Sequence, residues 1–111
     1  MDNAHIVKTS DITGLKVKNL DGITLGTISE LVINKLSGKT NYMVVDFDGY
    51  GGMKNKYFAF PWGAFEYSES EDCYVLDVDV QLLKNTIGLD KAQWPNFNFM
   101  DLEIAARKYY Q

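Results

Sequence analysis

The sequence is poor in the residues that most often carry chemistry. It contains one cysteine, Cys73, and one histidine, His5. A single cysteine excludes an internal disulfide and favours a reducing compartment, so we expect a cytoplasmic protein. Histidine-dependent triads and zinc sites would all depend on His5, which has no second histidine or cysteine near it in the sequence. Cys73 begins a predicted strand, and we expect a packed small hydrophobe there rather than a nucleophile.

Long apolar runs and basic clusters are also missing. No stretch reaches the roughly 18 apolar residues that a membrane-spanning helix requires. The first residues, MDNAHIVKTSD, lack the basic and apolar regions of a secretory leader, so we expect neither a leader nor a membrane span. The net charge is −4 and the lysines are spread along the chain. That charge pattern argues against direct binding of nucleic acid.

Hydrophobic and aromatic residues are plentiful. The chain has 111 residues, of which 46% are hydrophobic and 14% aromatic. This length fits one globular domain that can bury a core without disulfides. Aromatic side chains suit the half-buried surfaces of β-sheets.

Short alternating segments separated by turn residues predict an all-β domain. The predicted strands are residues 15–18, 25–34, 41–48, 56–60, 64–67 and 73–80. In the predicted strand at 25–34, Ile28 has an even number whereas Leu31 and Ile33 have odd numbers. Strict alternation would therefore place Ile28 on the opposite face from the other two. A bulge near Ser29 and Glu30 would place Ile28, Leu31 and Ile33 on one face. In the predicted strand at 41–48, Met43, Val45 and Phe47 share one face, whereas Tyr42, Val44, Asp46 and Asp48 share the other.

This pattern divides the chain into three parts. We expect a loose N-terminus at residues 1–10, a β domain at 11–88 and a C-terminal segment at 89–111. One or two helical turns are predicted at 81–86, and residues 89–99 are predicted to be irregular. Asn98 is a suitable N-cap for a short terminal helix at 99–109. That terminal segment packs either on the β domain or on a partner.

The order and spacing of these segments resemble the PRC-barrel domain family. The resemblance rests on ITGL at 12–15 with Val17, DG at 21–22, LGTI at 25–28, ELVI at 30–33, YMVVDF at 42–47, FPW at 60–62 with Phe65, CYVLDV at 73–78 and WP at 94–95. The family is named for the cytoplasmic part of the photosynthetic reaction centre H subunit. A related barrel forms the C-terminal half of a ribosome maturation factor. The resemblance implies a small, highly bent β-barrel that serves as an interaction module, with no shared catalytic residues and no cofactor.

Exposed aromatic and apolar residues are the candidates for such an interaction. We predict contacts with a protein partner, and self-association as a homodimer, through Tyr50, Met53, Trp62, Trp94, Phe97, Phe99, Met100, Ile104 and Tyr109. A large exposed apolar patch usually marks an interface, and two-fold homodimers are the commonest assemblies. The alternative for each residue is packing within the chain. By analogy with the maturation factor, an accessory role in ribosome or RNA processing, acting through a protein partner, is a second hypothesis.

Paired aspartates form a third candidate site. Asp46 and Asp48 share one face of a predicted strand, as Asp77 and Asp79 do on another. If these strands were neighbours, four carboxylates would meet and attract Ca²⁺ or Mg²⁺. We expect a solvent-facing acidic edge, with the divalent-metal site as the alternative.

The glycines of DGYGG, at residues 48–52, do not form a phosphate loop. The spacing G-x-x-x-x-G-K-[ST] is absent, and a predicted strand follows instead of a helix. We expect a hairpin loop.

Overall fold

A computed structural model of the chain describes residues 6–47, 53, 56–84, 88–96 and 98. Its strands are β1 Lys16–Lys18, β2 Thr24–Ile33, β3 Thr40–Asp46, β4 Lys56–Pro61, β5 Phe65–Ser68, β6 Cys73–Leu76 and β7 Leu89–Asp90. The helices within these described ranges are α1 Thr9–Ile12, before β1, the first 3-10 helix Trp62–Ala64, between β4 and β5, α2 Val80–Lys84, between β6 and β7, and the second 3-10 helix Lys91–Asn96, after β7. The protein is therefore mostly β, as the sequence predicts.

All these strands belong to one mixed sheet with the order β5-β6-β1-β2-β3-β4-β7. Neighbours pair antiparallel except β1 and β6, which pair parallel through Val17 opposite Tyr74. Within the described part of the chain, β5 and β7 are the two edges, so the bent barrel is open between them. The parallel pair sets the β5–β6 hairpin beside β1.

The bulge predicted in β2 is confirmed. The register of β2 against β3 shifts between Ile28 and Glu30, and Ile28 is buried while Leu31 packs partly buried on the same core. The prediction for Ile33 is wrong, because its side chain is exposed. A second register shift, between Val32 and Ile33, precedes the turn that leaves the sheet.

Alternation in β3 separates two hydrophobic clusters. Met43 and Val45 belong to the larger cluster, together with Phe47, which follows the strand, and Phe58 of β4. The rings of Phe47 and Phe58 meet edge to face, with 5.4 Å between centroids. Val44 points the other way, into a smaller cluster whose described members are Val44, Ala59 and Leu89, with Val32, Tyr42, Tyr57 and Trp94 packed against it. Both faces of β3 are thus covered.

The later elements differ from the prediction. The strand predicted at 73–80 ends at Leu76, and α2 begins at Val80. The Asp79 carboxylate caps α2, because it accepts hydrogen bonds from the backbone N–H groups of Gln81 at 2.9 Å and Leu82 at 3.4 Å. Residues 89–99 are not wholly irregular, since Leu89 pairs with β4 as part of β7. A strand of two residues is too short to show alternation.

The structure describes only part of the N-terminal and C-terminal segments predicted from the sequence. Helix α1 starts at Thr9, inside the segment predicted to be loose. The terminal helix predicted at 99–109 lies outside the described residues. The boundaries at residues 11 and 88 stay a prediction.

Candidate functional site

A cavity of about 300 Å³ opens between α1 and the β5–β6 hairpin. We call it the aromatic cavity. Its lining residues are Val7, Asp11, Ile12, Leu15, Trp62, Tyr67, Glu69 and Tyr74. A second depression, more open to solvent and more polar, lies on the other side of Trp62 and contains Thr40 and Asn41. The aromatic cavity is the more enclosed of the two and has a mainly apolar wall, which is the usual character of a binding site.

One wall of the aromatic cavity is fixed by backbone hydrogen bonds to β2. The Gly14 N–H donates to the Ile28 carbonyl at 2.7 Å, and the Ile28 N–H donates to the Leu15 carbonyl at 2.9 Å. Gly14 has a φ of 92°, a backbone conformation that glycine adopts without strain. This turn holds the four-residue helix α1 against the sheet, with Ile12 buried in the core.

Three rings form the opposite side of the cavity. Tyr74, on β6, is only 7% exposed and forms the base. Trp62 and Tyr67 flank it, with centroids 6.1 Å and 5.3 Å from that of Tyr74 and ring planes inclined to it by 66° and 55°. Trp62 is 44% exposed and Tyr67 is 48% exposed. The fold therefore offers solvent two large aromatic surfaces at one opening.

Trp62 takes this position because β4 stops directly before it. Pro61 is the last residue of β4, and the first 3-10 helix begins at Trp62. Proline lacks the N–H that would continue the ladder, so it ends the strand as the sequence predicts. Phe65 then starts β5 and packs edge to face on Tyr74, with 6.0 Å between centroids.

The surroundings of Tyr67 and Tyr74 raise the pKa values of both phenols. The Tyr67 hydroxyl donates to the Asp72 carboxylate at 2.5 Å. This hydrogen bond is the main reason that the pKa of Tyr67 is raised to about 12. The pKa of Tyr74 is raised mainly by burial and also by the negative charge of Asp72. Neither phenol can serve as a base near neutral pH.

The single cysteine lies beside this cluster but does not open into it. Cys73 is buried, and burial is the first cause of its raised pKa. Its thiol points at the Glu71 carboxylate, with 3.8 Å between Sγ and Oε1. The prediction of a packed, small residue at this position is confirmed by its burial.

Comparison with known proteins identifies the fold family. The PRC-barrel domain model matches residues 5–83, which include α1, β1 to β6 and every residue of the aromatic cavity. The chain belongs to the PRC-barrel family. The resemblance inferred from the sequence is therefore confirmed.

One solved structure similar to this PRC-barrel domain is a 16S ribosomal RNA processing protein, RimM, of Pseudomonas aeruginosa. The two sequences are 19% identical, and the match has a TM-score of 0.48. It covers 73% of this chain and 50% of the RimM chain, so the chain spans about half of that protein's length. No curated protein matches the sequence.

Of the nine residues predicted to make interactions, Trp62 is the one that lines the aromatic cavity. Met53 is buried in the core of the PRC-barrel domain. Trp94 is half-buried, and its ring packs edge to face on Tyr57 with 5.5 Å between centroids. The remaining six, Tyr50, Phe97, Phe99, Met100, Ile104 and Tyr109, lie outside the described residues.

The aspartates predicted as a metal site do not come together. Asp46 belongs to β3 and Asp77 follows β6, and β1 and β2 lie between those strands. Asp46 instead accepts a hydrogen bond from the Lys91 ammonium at 2.8 Å, and Asp79 caps α2. Asp48 lies outside the described residues. Because the strands are not neighbours, the premise of the metal hypothesis is wrong. Within the described ranges, no three His, Cys, Asp or Glu side chains group closely enough to hold a metal ion.

Sequence reasoning missed Asp11, Tyr67, Glu69 and Tyr74 as parts of one site. Residues 11 and 74 meet there because β1 pairs with β6, and that pairing joins distant parts of the chain. No local pattern signals it. Among the described residues, no helix has the length and apolarity needed to cross a membrane.

We expect the pKa of Tyr67 to depend on Asp72. Asp72 has a φ of 50°, which asparagine also tolerates, so Asp72→Asn removes the charge with little backbone strain. The pKa of Tyr67 should fall from about 12 towards the ordinary value of 10.0. Since the folded-state value is the higher one, the interaction stabilises the fold below about pH 10 and is lost as the pH rises towards 12.

NMR titration of the tyrosine ring signals measures this shift. The matched control is Glu71→Gln, which removes a carboxylate from the same turn without touching the Tyr67 hydroxyl. An unchanged Tyr67 titration in Asp72→Asn, or an equal shift in both variants, would contradict the assignment.

Proposed function

We propose that this PRC-barrel domain is a non-enzymatic protein-binding module that receives part of its partner in the aromatic cavity. The observation that carries the proposal is the exposure of Trp62 and Tyr67 at one opening, over the buried ring of Tyr74. Tryptophan and tyrosine are the residues most enriched at the energetic centres of protein interfaces. Two such rings, already held in place by packing, need little ordering when a partner binds.

The chemistry of the cavity supports binding over catalysis. Its two tyrosines have raised pKa values, and the neighbouring thiol of Cys73 is buried. A volume of about 300 Å³ is at the lower end of the range for ligand sites. That size suits a side chain or a short segment of a partner better than a whole cofactor. We place the protein in the cytoplasm, in keeping with its single cysteine.

Site-directed photo-crosslinking tests the proposal. A photoreactive amino acid is placed at Val7, which is exposed and lines the cavity without belonging to its rings. The matched control is Leu36, which is 94% exposed on the β2–β3 turn. In cells we expect a discrete adduct from position 7 that disappears when Trp62→Ala is added. Equal adducts from positions 7 and 36, or none from position 7, would contradict a partner at the cavity.

We also propose that the chain self-associates. The support is the group of aromatic and apolar residues at the C-terminus, Phe97, Phe99, Met100, Ile104 and Tyr109. Light scattering of the full chain over a range of concentrations should give a mass approaching twice 12.6 kDa. The combined substitutions Phe99→Ser and Ile104→Ser should return it to the single-chain mass. A single-chain mass for the unsubstituted protein at every concentration would remove this proposal.

An accessory role in ribosome processing is the second candidate. RimM is described as a 16S ribosomal RNA processing protein, and the net charge of −4 on this chain suits a basic ribosomal protein as partner. Identification of the protein crosslinked from position 7 decides between this role and another pathway. A ribosomal protein is the outcome that this candidate requires.

A further inference from the structure

Residues 88–96 lie on the sheet outside the part of the chain that the family model matches, and we call them the strap. The strap consists of Gly88, β7 and the second 3-10 helix, whereas the family match covers residues 5–83. β7 adds to the edge of β4, with Leu89 opposite Tyr57 and Asp90 opposite Lys56. The strap is therefore a separate element that is attached to the matched part of the domain.

The strap covers one face of β3 and β4. The register between these strands places Val44 opposite Ala59. Two positions along, it places Asp46 opposite Tyr57. Side chains directly opposite each other in antiparallel strands share a face, and we call these four residues the strap site. Val44 and Ala59 are wholly buried, and Leu89 of the strap packs with them and is only 2% exposed.

Gly88 lets the start of the strap approach β4 closely. A Cβ added at Gly88 would lie 2.8 Å from Cζ of Phe58 and 3.0 Å from the Tyr57 carbonyl oxygen. Neither neighbour can move away easily, because Phe58 is fully buried and the carbonyl belongs to the backbone of β4. The strap and the sheet therefore fit each other in shape at this point.

Lys91 and Trp94 of the strap match the polar half of the strap site. The Lys91 ammonium lies 2.8 Å from the Asp46 carboxylate and 5.3 Å from the centroid of the Tyr57 ring. Trp94 packs edge to face on the same ring, with 5.5 Å between centroids. The strap is thus complementary to its site in charge, in apolar burial and in ring contacts. None of these contacts depends on the covalent connection between the two.

The position of the strap in the sequence points to a second copy of the chain. α2 ends at Lys84, so three residues connect it to Gly88. The residues proposed for self-association, 97–109, follow the strap directly. A dimer formed through them brings each strap close to the other copy. Exchange of an identical element keeps every contact described above and is a low-cost route to a dimer, and short connections favour it.

We propose that the strap site binds the strap of a second copy of this chain, so that two copies exchange residues 88–96. Each copy's Lys91 then pairs with the other copy's Asp46, and each Leu89 fills the other copy's apolar cluster. This inference rests on the proposed self-association, and it names the surface and the segment through which the two copies meet.

Reversed charges in two distinguishable full-length chains test the exchange. One chain carries Asp46→Lys, and the other, which has an affinity tag, carries Lys91→Asp. Alone, each variant brings like charges together at positions 46 and 91, in its own fold and in a dimer with itself. In a mixture, reciprocal exchange places opposite charges at both strap sites. We expect native mass spectrometry over a range of concentrations to give the mixed dimer a Kd about fivefold or more lower than that of either variant alone. Equal Kd values overturn the inference.

Two controls accompany the mixture. A single chain with both Asp46→Lys and Lys91→Asp regains opposite charges at its strap site, and its Kd for self-association should return to that of the unsubstituted chain. A mixture of Asp21→Lys and Lys39→Asp changes the same charges at exposed positions of the β1–β2 and β2–β3 turns. This second mixture should show no preference for the mixed dimer. An equal preference there would assign the pairing to net charge and overturn the inference.

Disulfide trapping tests the same contact without reversing a charge pair. Both chains carry Cys73→Ala, one carries Lys56→Cys and the other Asp90→Cys. Positions 56 and 90 face each other in the ladder between β4 and β7, within the distance that a disulfide requires. We expect about fivefold or more covalent dimer than when Leu36→Cys, at a wholly exposed turn, replaces Asp90→Cys. Equal yields overturn the inference.

Two outcomes separate the exchange from the proposed self-association. A dimer of the unsubstituted chain, without preferential pairing of the reversed charges and without the disulfide between positions 56 and 90, overturns the exchange and leaves self-association in place. A single-chain mass for the unsubstituted chain and for every mixture removes both.

Discussion

Gly26→Ala is expected to destabilise the fold by about 3 kcal/mol, in the upper range for overpacking in a core. An added Cβ at Gly26 would lie 2.1 Å from the Asp46 carbonyl oxygen and 2.7 Å from the Phe47 Cα. Both neighbours are backbone atoms of the β3 end, so relief requires β2 and β3 to separate. We expect the midpoint of thermal unfolding to fall by about 10 °C or more.

Gly63→Ala is the matched control. A Cβ at Gly63 meets nothing within 4 Å, and its φ is not in the left-handed region. The same chemical change should therefore alter the midpoint by no more than a few degrees. If the two variants unfold at the same temperature, the close approach of β2 and β3 at Gly26 is wrong.

Phe58→Ala is expected to lower the free energy of unfolding by about 3 to 5 kcal/mol. Phe58 is fully buried in the larger cluster and meets Phe47 edge to face at 5.4 Å. Removing the ring leaves a cavity that the two strands cannot close. Denaturant unfolding, followed by circular dichroism, measures the change.

Leu36→Ala provides the comparison for Phe58. Its side chain is almost wholly exposed, so its loss should change the free energy of unfolding by less than about 0.5 kcal/mol. If Phe58→Ala lowers the free energy of unfolding by as little as Leu36→Ala does, the placement of β4 in the core is contradicted.

The local features of the fold could be read from the sequence. The parity change after Ile28 predicted the bulge in β2, and the alternation around Met43 predicted which residues share each face of β3. Both are properties of neighbouring residues on one strand. The end of β4 at Pro61 is another, because it follows from the missing N–H of one residue.

The features that depend on distant residues could not be read in this way. The parallel pairing of β1 with β6 has no local signature, and β7 consists of two residues whose role is to pair with β4. The aromatic cavity depends on that parallel pair. For this reason the sequence singled out Trp62, through Pro61, but not its companions Tyr67 and Tyr74.

The strand neighbourhood assumed for the metal site was wrong for a related reason. Period-two alternation correctly places two aspartates on one strand face, but it does not say which strands are neighbours. Asp46 is instead held by Lys91, whose ammonium also lies 5.3 Å from the centroid of the Tyr57 ring. The carboxylate thus ties the second 3-10 helix to β3 instead of contributing to a cation site.

The central claim is that the partner docks at the aromatic cavity. The chain has two tryptophans, and only Trp62 lines that cavity, whereas Trp94 packs on Tyr57 beside the second 3-10 helix. The decisive measurement is an NMR titration of the labelled chain with the purified protein that crosslinks from position 7. We predict that the Trp62 indole N–H signal shifts or broadens while the Trp94 signal is unchanged. A change at Trp94 with none at Trp62 would contradict the account.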